Sequence, residues 1–336
     1  MFTLFFITEN HQYSAMGGFE RTNAWSTHFA LSLCSSTGGT DDGVLASKSF
    51  ELMIEKHDRR DVPEFTVYSL LRSPTITIRD TRCQGTCRSM SAEECTTTTQ
   101  LIFPYRGVYV RHVGHDQVVA EPNQVLFFNA QEAYRVSHPV AGGDGSLTLV
   151  IEEAELHELA PVNILHRSSG IAFRLQRLRI DARTQGLVGL LRHKLHEQRV
   201  ERLEAEVLAL ILARRALGPR SSHAPGSTVG RQKLVDRAKL VLSSDLTRRW
   251  ALSEIAGELR VSPVYLTQVF QQVEGLPLYQ YQLRLRLARA LDLLASYDDL
   301  TTLALDLGFS SHSHFSAAFR KFYGYSPSAF KRSSLH

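Results

Sequence analysis

The last 106 residues carry one local pattern twice, and few folds satisfy both copies. Leu252-Ser-Glu-Ile-Ala256-Gly-Glu-Leu-Arg-Val-Ser262-Pro-Val-Tyr-Leu266-Thr-Gln-Val-Phe270 is matched by Leu300-Thr-Thr-Leu-Ala304-Leu-Asp-Leu-Gly308-Phe-Ser310-Ser-His-Ser-His-Phe315-Ser-Ala-Ala-Phe319. Each copy has a short amphipathic segment with an alanine near its middle, a turn, a serine able to cap, and two apolar anchors four residues apart. Two short helices that cross steeply need a small residue at the crossing, which Ala256 and Ala304 supply. The turn must be tight, and a left-handed glycine such as Gly308 suits it. Ser262-Pro263 gives a cap and a first helical residue together, so the second helix starts abruptly with its N-terminus free. This is a helix-turn-helix arrangement, present twice. The second copy has 15 rather than 14 steps between its alanine and its last phenylalanine, so its turn or entry is longer by one residue.

Between the copies, Pro277 to Ser296 reads as one long helix with an apolar stripe at Leu283, Leu287, Ala290 and Leu294. About twenty residues span about 30 Å, close to the roughly 34 Å turn of a DNA duplex. Arg284, Arg286 and Arg289 interleave with the stripe; they can meet phosphates or form ion pairs inside the domain. Residues 231–336 hold 14 Lys and Arg against nine Asp and Glu, whereas the whole chain is only +4. A basic C-terminal segment beside a near-neutral remainder fits nucleic-acid binding, although a chance excess of arginine reads the same way.

Gly218-Pro-Arg-Ser-Ser-His-Ala-Pro-Gly-Ser-Thr-Val-Gly230 is the clearest boundary, a flexible linker over 217–230. Ahead of it, 61–216 reads as one domain and 1–60 as a disordered extension, with Met53 a candidate translation start. The opening Met1-Phe-Thr-Leu-Phe-Phe-Ile7 lacks a basic leader and makes a poor signal peptide. Short β-branched or aromatic runs, from Phe65-Thr-Val-Tyr-Ser69 to Leu147-Thr-Leu-Val-Ile151, are evenly punctuated by turns, as in a small barrel or sandwich. From about 154 to 216 the spacing becomes helical, with Asp181 a plausible N-cap. Leu187, Leu190, Leu191 and Leu195 form one stripe, and Leu203, Val207, Leu210 and Ile211 another. Such helices can close the barrel, pair with a second subunit, or simply pack within the domain. The 43% hydrophobic and 21% charged composition excludes a wholly disordered or collagen-like chain, and no apolar run is long enough to span a bilayer.

Residues 231–336 resemble the DNA-binding domain of the AraC/XylS family of bacterial transcription regulators. Leu303-Ala-Leu-Asp-Leu-Gly-Phe-Ser-Ser-His-Ser-His-Phe-Ser-Ala-Ala-Phe-Arg-Lys-Phe-Tyr-Gly-Tyr-Ser-Pro-Ser-Ala-Phe330 carries the likeness. Phe103-Pro-Tyr-Arg-Gly-Val-Tyr-Val and Glu121-Pro-Asn-Gln-Val-Leu-Phe-Phe resemble, more weakly, the cupin-like sensor of such regulators. The resemblance implies a two-domain α+β chain: a cupin-like β-barrel with following helices, then an all-α domain with two helix-turn-helix motifs. It implies a cytoplasmic, homodimeric activator that binds double-stranded DNA, a small-molecule effector and RNA polymerase, with no cofactor and no enzymatic activity. The first reading helix corresponds to Ser262–Gln272, presenting Val264, Tyr265, Thr267, Gln268 and Gln271 to the groove. The second corresponds to Ser311–Tyr323, presenting His312, Ser313, His314, Ser316 and Ala317. Tyr265 and His314 can equally serve packing. Arg320, Lys321 and Arg284 are the candidate phosphate contacts. The family often has arginine at the positions of Val264, Gln268 and Ala317, so less guanine reading is expected; Gln268 suits adenine and Val264 a thymine methyl. Arg260 stands where a turn glycine is usual, at a cost of about 1 kcal/mol if left-handed.

For the sensor, Arg106, Tyr109, Arg111 and Tyr134 are the candidate effector-lining residues. Arg111-His-Val-Gly-His115 lacks the histidine spacing of a metal-holding cupin, so no metal is expected there. A cupin-type metalloenzyme fused to a DNA-binding domain is the alternative reading. Cys83, Cys87 and Cys95 lie within 13 residues; they can be ordinary reduced thiols, or bind a soft metal or meet an oxidant, with His112 or His138 as a further ligand.

Overall fold

The computed structural model describes residues 64–86, 89–167, 170–218 and 228–335. The expected extension 1–60, Met53, Cys87 and most of the linker lie outside the described residues. Alternating β-branched and polar residues build a six-stranded antiparallel sheet from β1 (Phe65–Arg72), β2 (Ile76–Cys83), β3 (Gln100–Arg106), β6 (Gln124–Phe128), β8 (Asp144–Ile151) and β11 (Arg177–Arg179). Its order is β1-β2-β8-β3-β6-β11. A second antiparallel sheet joins β4 (Tyr109–Val113), β5 (Asp116–Ala120) and β7 (Arg135–Ser137) in the order β5-β4-β7. The hairpin β9 (Leu165–Arg167) and β10 (Ile171–Phe173) is a third. The three strands β9, β10 and β11 fall where the spacing suggested helix; each is only three residues long, too short for alternation to register.

The strand period of two sorts the six-stranded sheet into two faces. Ile76, Ile78, Leu101, Phe103, Val125, Phe127, Leu147 and Leu149 face α2 (Ala182–His196) and α3 (Arg202–Leu217) in one core. Ile102, Leu126 and Phe128 point the other way and pack on Tyr109, Val118 and Ala120 of the small sheet. The two sheets therefore meet face to face without closing into the expected barrel, since among the described residues no ladder joins them. The helix α1 (Glu153–Leu159) covers β10. Asp181 caps α2, accepting from the Thr184 amide at 2.7 Å.

The C-terminal domain comprises α4 (Val229–Ser244), α5 (Leu252–Leu259), α6 (Pro263–Glu274), α7 (Leu278–Leu293), α8 (Leu300–Asp306), α9 (His312–Tyr323) and α10 (Pro327–Leu335). It has two cores. Leu242, Ile255, Leu266, Phe270 and Tyr281 belong to the first, and Leu287, Leu303, Phe315, Phe319 and Phe330 to the second. The single helix α7 contributes to both. At 16 residues it is about 24 Å long, shorter than the sequence suggested, because the chain turns after Leu293. The spacing of the two motifs is thus set by more than rod length. No helix among the described residues is long and apolar enough to cross a membrane.

Candidate nucleic-acid interface

The two motifs are built alike to the level of single hydrogen bonds. In the first, the Arg260 amide donates to Gly257 O at 3.1 Å and the Val261 amide to Ala256 O at 3.0 Å. In the second, Gly308 donates to Leu305 O at 2.8 Å and Phe309 to Ala304 O at 3.0 Å. Both crossing alanines are buried, as are the anchors Leu266, Phe270, Phe315 and Phe319. The reading helices are capped by Ser262, which accepts from Tyr265 N at 3.2 Å, and by Ser311, which accepts from His314 N at 3.1 Å. The extra residue of the second copy is thus located: Ser310 is inserted after an otherwise identical turn. Its hydroxyl lies 3.1 Å from His314 Nδ1.

Both turns need a left-handed residue. Gly308 has φ +77°, and a Cβ there would stand 2.4 Å from Thr247 O, so backbone packs directly on backbone. Arg260 adopts φ 57°, ψ 46° with its side chain exposed. The penalty of about 1 kcal/mol is therefore present in the folded domain.

Between the caps and the ends of the helices, the buried anchors fix which residues face outward. On α6, Val264, Tyr265, Gln268 and Gln271 are exposed and Thr267 half-buried, its hydroxyl donating to Pro263 O at 3.0 Å. Tyr265 is 44% exposed, so packing does not consume it. On α9, His312, Ser313, His314 and Ala317 are exposed and Ser316 half-buried. His314 stands edge-on to Phe309, ring centres 5.4 Å apart, and His312 Nε2 is 3.2 Å from Ser316 Oγ. Arg320 and Lys321 are exposed in the last turn of α9 and line an open groove with Ser316, Ala317 and Ser326. Arg284 does not join them: its guanidinium lies over the Phe322 ring at 5.2 Å, half-buried, and burial holds its pKa below the arginine norm against the pull of Glu121 and Glu274. In this structure it packs against Phe322 and does not line this groove.

Arg286 does what spacing could not reveal. It donates to Leu246 O, to Gly308 O at 3.0 Å, to Thr247 O at 3.0 Å and to Arg248 O at 2.9 Å. The loop before the first motif and the turn of the second are thereby stitched to one guanidinium. Arg289 pairs with Asp292 on its own helix.

The β-rich domain grips the far end of both reading helices. Glu274, the last residue of α6, is 2.8 Å from Lys239 Nζ on α4 and 3.2 Å from Arg179 Nε on β11. Lys239 is fully buried, also faces Glu121 at 3.6 Å, and sits 5.4 Å from the centre of the Tyr281 ring. Burial raises the Glu274 carboxyl, but Lys239 and Arg179 outweigh it and hold the group below the usual carboxylate range. Arg177 reaches Asp236 at 3.4 Å. Tyr323, the last residue of α9, donates to Gln185 Oε1 on α2 at 2.7 Å. Arg192 on α2 pairs with Asp292 at 2.7 Å, and His193 Nε2 is 2.7 Å from Leu291 O. A narrow crevice at this contact is lined by Tyr105, Gln185, Arg192 and Asp292. The sequence did carry a signal: Lys239 falls on the buried stripe of α4 with Val235, Ala238 and Leu242, where an unpaired charge cannot stay.

Among the expected effector-lining residues, Tyr109, Arg111 and Tyr134 do meet between the sheets, Arg111 lying 5.5 Å from the centre of the Tyr134 ring. Arg111 is fully buried; it donates to Phe127 O at 2.7 Å and Glu132 at 2.8 Å, and lies 3.9 Å from the centre of the Phe128 ring. Tyr134 donates to Glu94 at 3.2 Å. Arg106 is not with them: it follows a register shift in β3 and stands within electrostatic reach of Arg289 on α7. Of the three thiols whose spacing suggested a cluster, Cys83 and Cys95 are described. Among the described residues, Cys83 stands with His138 and Asp144, and Cys95 is buried outside that group.

Matched helix-turn-helix units with exposed, polar second helices define a DNA-binding domain. Residues 255–333 match the family model described as a helix-turn-helix domain. The HTH-type transcriptional regulator ArgR of Pseudomonas aeruginosa is 35% identical over 92 residues, 27% of this chain and 28% of that protein. The HTH-type transcriptional activator FapR of Escherichia coli is 33% identical over 97 residues, 29% of this chain and 37% of that protein. A solved AraC-type transcriptional regulator of Chromobacterium violaceum is similar at 27% identity and TM-score 0.31, over 32% of this chain and 98% of that one. Residues 255–333 of this chain form a helix-turn-helix domain similar to those of curated transcriptional regulators. The chain spans 28 to 61% of the length of curated relatives such as these, 40% of the Msm operon regulatory protein of Streptococcus mutans for example.

Proposed function

We propose that the chain is a transcription regulator that reads duplex DNA with α6 and α9 and whose β-rich domain controls how those helices are presented. The observation that carries this reading is the pairing of outward polar faces with clamped tails: Gln268 and His312 face solvent, while Glu274 and Tyr323 are held by Arg179 and Gln185. A ligand that favours one arrangement of the β-rich domain shifts the population of DNA-competent helices. Val264, Tyr265, Thr267, Gln268 and Gln271 then read one major groove, and His312, Ser313, His314, Ser316 and Ala317 the next. Arg320 and Lys321 meet phosphates. With no arginine on either outward face before Arg320, adenine and thymine dominate the recognised sequence.

The protein acts as a homodimer in this reading. On α3, Ala205, Ala209, Leu212, Ala213 and Ala216 are buried, while Leu203, Val207 and Ile211 form a second stripe at 73%, 47% and 45% exposure. A helix apolar on both faces fits a second copy of itself on the open side. The reading places the protein in the cytoplasm, with RNA polymerase as the contact that turns occupancy into activation. The enzyme alternative is not adopted, because the relatives that the helical domain resembles are transcriptional regulators. Footprinting tests the proposal: two protected stretches one helical turn apart are expected, with Gln268→Ala eroding one and His312→Ala the other. A single diffuse footprint that neither variant alters would overturn it.

A further inference from the structure

We propose that Cys83, His138 and Asp144 form a binding site for a single zinc-class divalent cation in the β-rich domain. It goes beyond the DNA-reading account and does not depend on it, since none of the three residues belongs to the helical domain.

The fold brings the three together from separate segments. Cys83 ends β2 and Asp144 begins β8, and the two are direct cross-strand neighbours in the antiparallel register, so both side chains leave the same face of the sheet. That face is the one turned toward the small sheet. His138 follows directly after β7 of that sheet and reaches across, its Nε2 2.8 Å from Asp144 Oδ2. One donor atom from each residue lies within 4.8 Å of the other two. His138 and Asp144 are 8% and 5% exposed while Cys83 is only half-buried, so the pocket is closed on two sides and open on the thiol side.

The backbone around them is built for close approach. A Cβ on Gly143 would stand 2.3 Å from Cys83 O, one on Gly85 2.8 Å from Gly143 Cα, and one on Gly107 1.9 Å from Gly143 O. Beside the β2–β8 ladder, the backbone at Gly143, Gly85 and Gly107 packs this closely only because these three positions lack side chains. The Gly85 amide also donates to Cys83 Sγ at 3.4 Å, a contact that suits a thiolate.

The donor set is chemically selective. One sulfur, one imidazole nitrogen and one carboxylate oxygen are the ligand types zinc accepts, in a tetrahedral set that leaves a fourth position to solvent. The thiolate disfavours magnesium and calcium, and the mixed set contains no all-sulfur cage for a cluster. The cation takes the place of the proton between His138 and Asp144, so binding releases protons.

The test uses the full chain, reduced and stripped with a chelator. Cobalt(II) is expected to bind at one equivalent with a thiolate-to-metal absorption band and the intense visible bands of a four-coordinate site, and one equivalent of zinc should displace it. Cys83→Ser should abolish the thiolate band. Asp144→Asn and His138→Gln should each weaken binding at least about 100-fold, the upper end of what mere supporting residues cost. Cys95→Ser should retain the band. Circular dichroism establishes that each variant is folded, and zinc should raise the Tm of the parent but not of Asp144→Asn. Absence of cobalt binding by the folded parent, or a thiolate band that survives Cys83→Ser, would leave a hydrogen-bonded triad only and overturn the proposal. Either result leaves the DNA footprint untouched, so the two readings fail separately.

Discussion

Replacing Lys239 with methionine tests whether the two domains are held as the geometry indicates. The ammonium is fully buried, 2.8 Å from Glu274 and 3.6 Å from Glu121, and both carboxylates are buried as well. Lys239→Met keeps the bulk but strands two anions. Breaking a buried pair by removing one member costs about 3–5 kcal/mol. Glu274 retains Arg179 at 3.2 Å, and Glu121 still accepts from the Asn123 amide at 2.9 Å. Those contacts place the expected loss near the lower limit, about 3 kcal/mol, or roughly 6–12 °C in Tm for a unit of this size. The deficit should shrink in acid. Without Lys239, burial dominates at Glu274 and its pKa rises, so the carboxyl is neutralised at a higher pH than in the parent and no longer needs a cation. Adding Glu274→Gln to Lys239→Met should recover much of the loss for the same reason. Thermal unfolding of the full chain at pH 7 and pH 5 reads all three. A Tm within about 1 °C of the parent at pH 7 would mean that the cluster is solvated and the clamp is not as described.

Further expectations follow from other contacts. Burial, with Arg192 beside it, holds His193 at a pKa of about 4, below the usual histidine value of about 6.5. A depressed folded value gives stability that is complete above about pH 6.5 and is lost as the pH falls through about 4, on the order of 3 kcal/mol. His193→Gln, which keeps a donor for Leu291 O, should flatten that window, and a pH-independent difference between the two proteins would refute it. Arg286→Ala removes the donor to four backbone carbonyls, and it should cost about 3 kcal/mol and weaken both halves of the footprint together. Leu203→Asp with Val207→Asp, on the exposed stripe of α3, should halve the mass seen by sedimentation without altering the circular dichroism spectrum.

The repeat in the last 106 residues was legible because its physics is local. Crossing alanines, turn geometry, a serine cap and paired anchors all act within twenty residues, and Ala256, Gly308, Ser262 and Phe319 stand where that logic puts them. What spacing could not resolve was the exact place of the inserted residue, since Ser310 and Ser311 are both able to cap. The β-strands from 65 to 151 were readable by alternation, but barrel closure depends on long-range pairing that no local pattern encodes. Charged residues fared worst. Arg284, Arg286 and Arg289 look alike on one helix, yet one stacks on Phe322, one binds four carbonyls and one pairs with Asp292. The partners of Arg284 and Arg286 lie 22 to 40 residues away in the chain, whereas Arg289 pairs within its own helix. Likewise Arg111 was a candidate effector contact because its strand resembles a sensor domain, and only tertiary packing shows that it is buried against Phe127 O, Glu132 and the Phe128 ring.

The most direct measurement is the salt dependence of duplex binding by the intact protein, taken on fragments selected from random sequence and on unselected duplex. The account predicts at least about a thousandfold preference for selected fragments, a steep fall of affinity with salt whose slope eases by about one for each of Arg320→Ala and Lys321→Ala, and loss of the preference in Gln268→Ala. Equal affinity for selected and unselected duplex would contradict it.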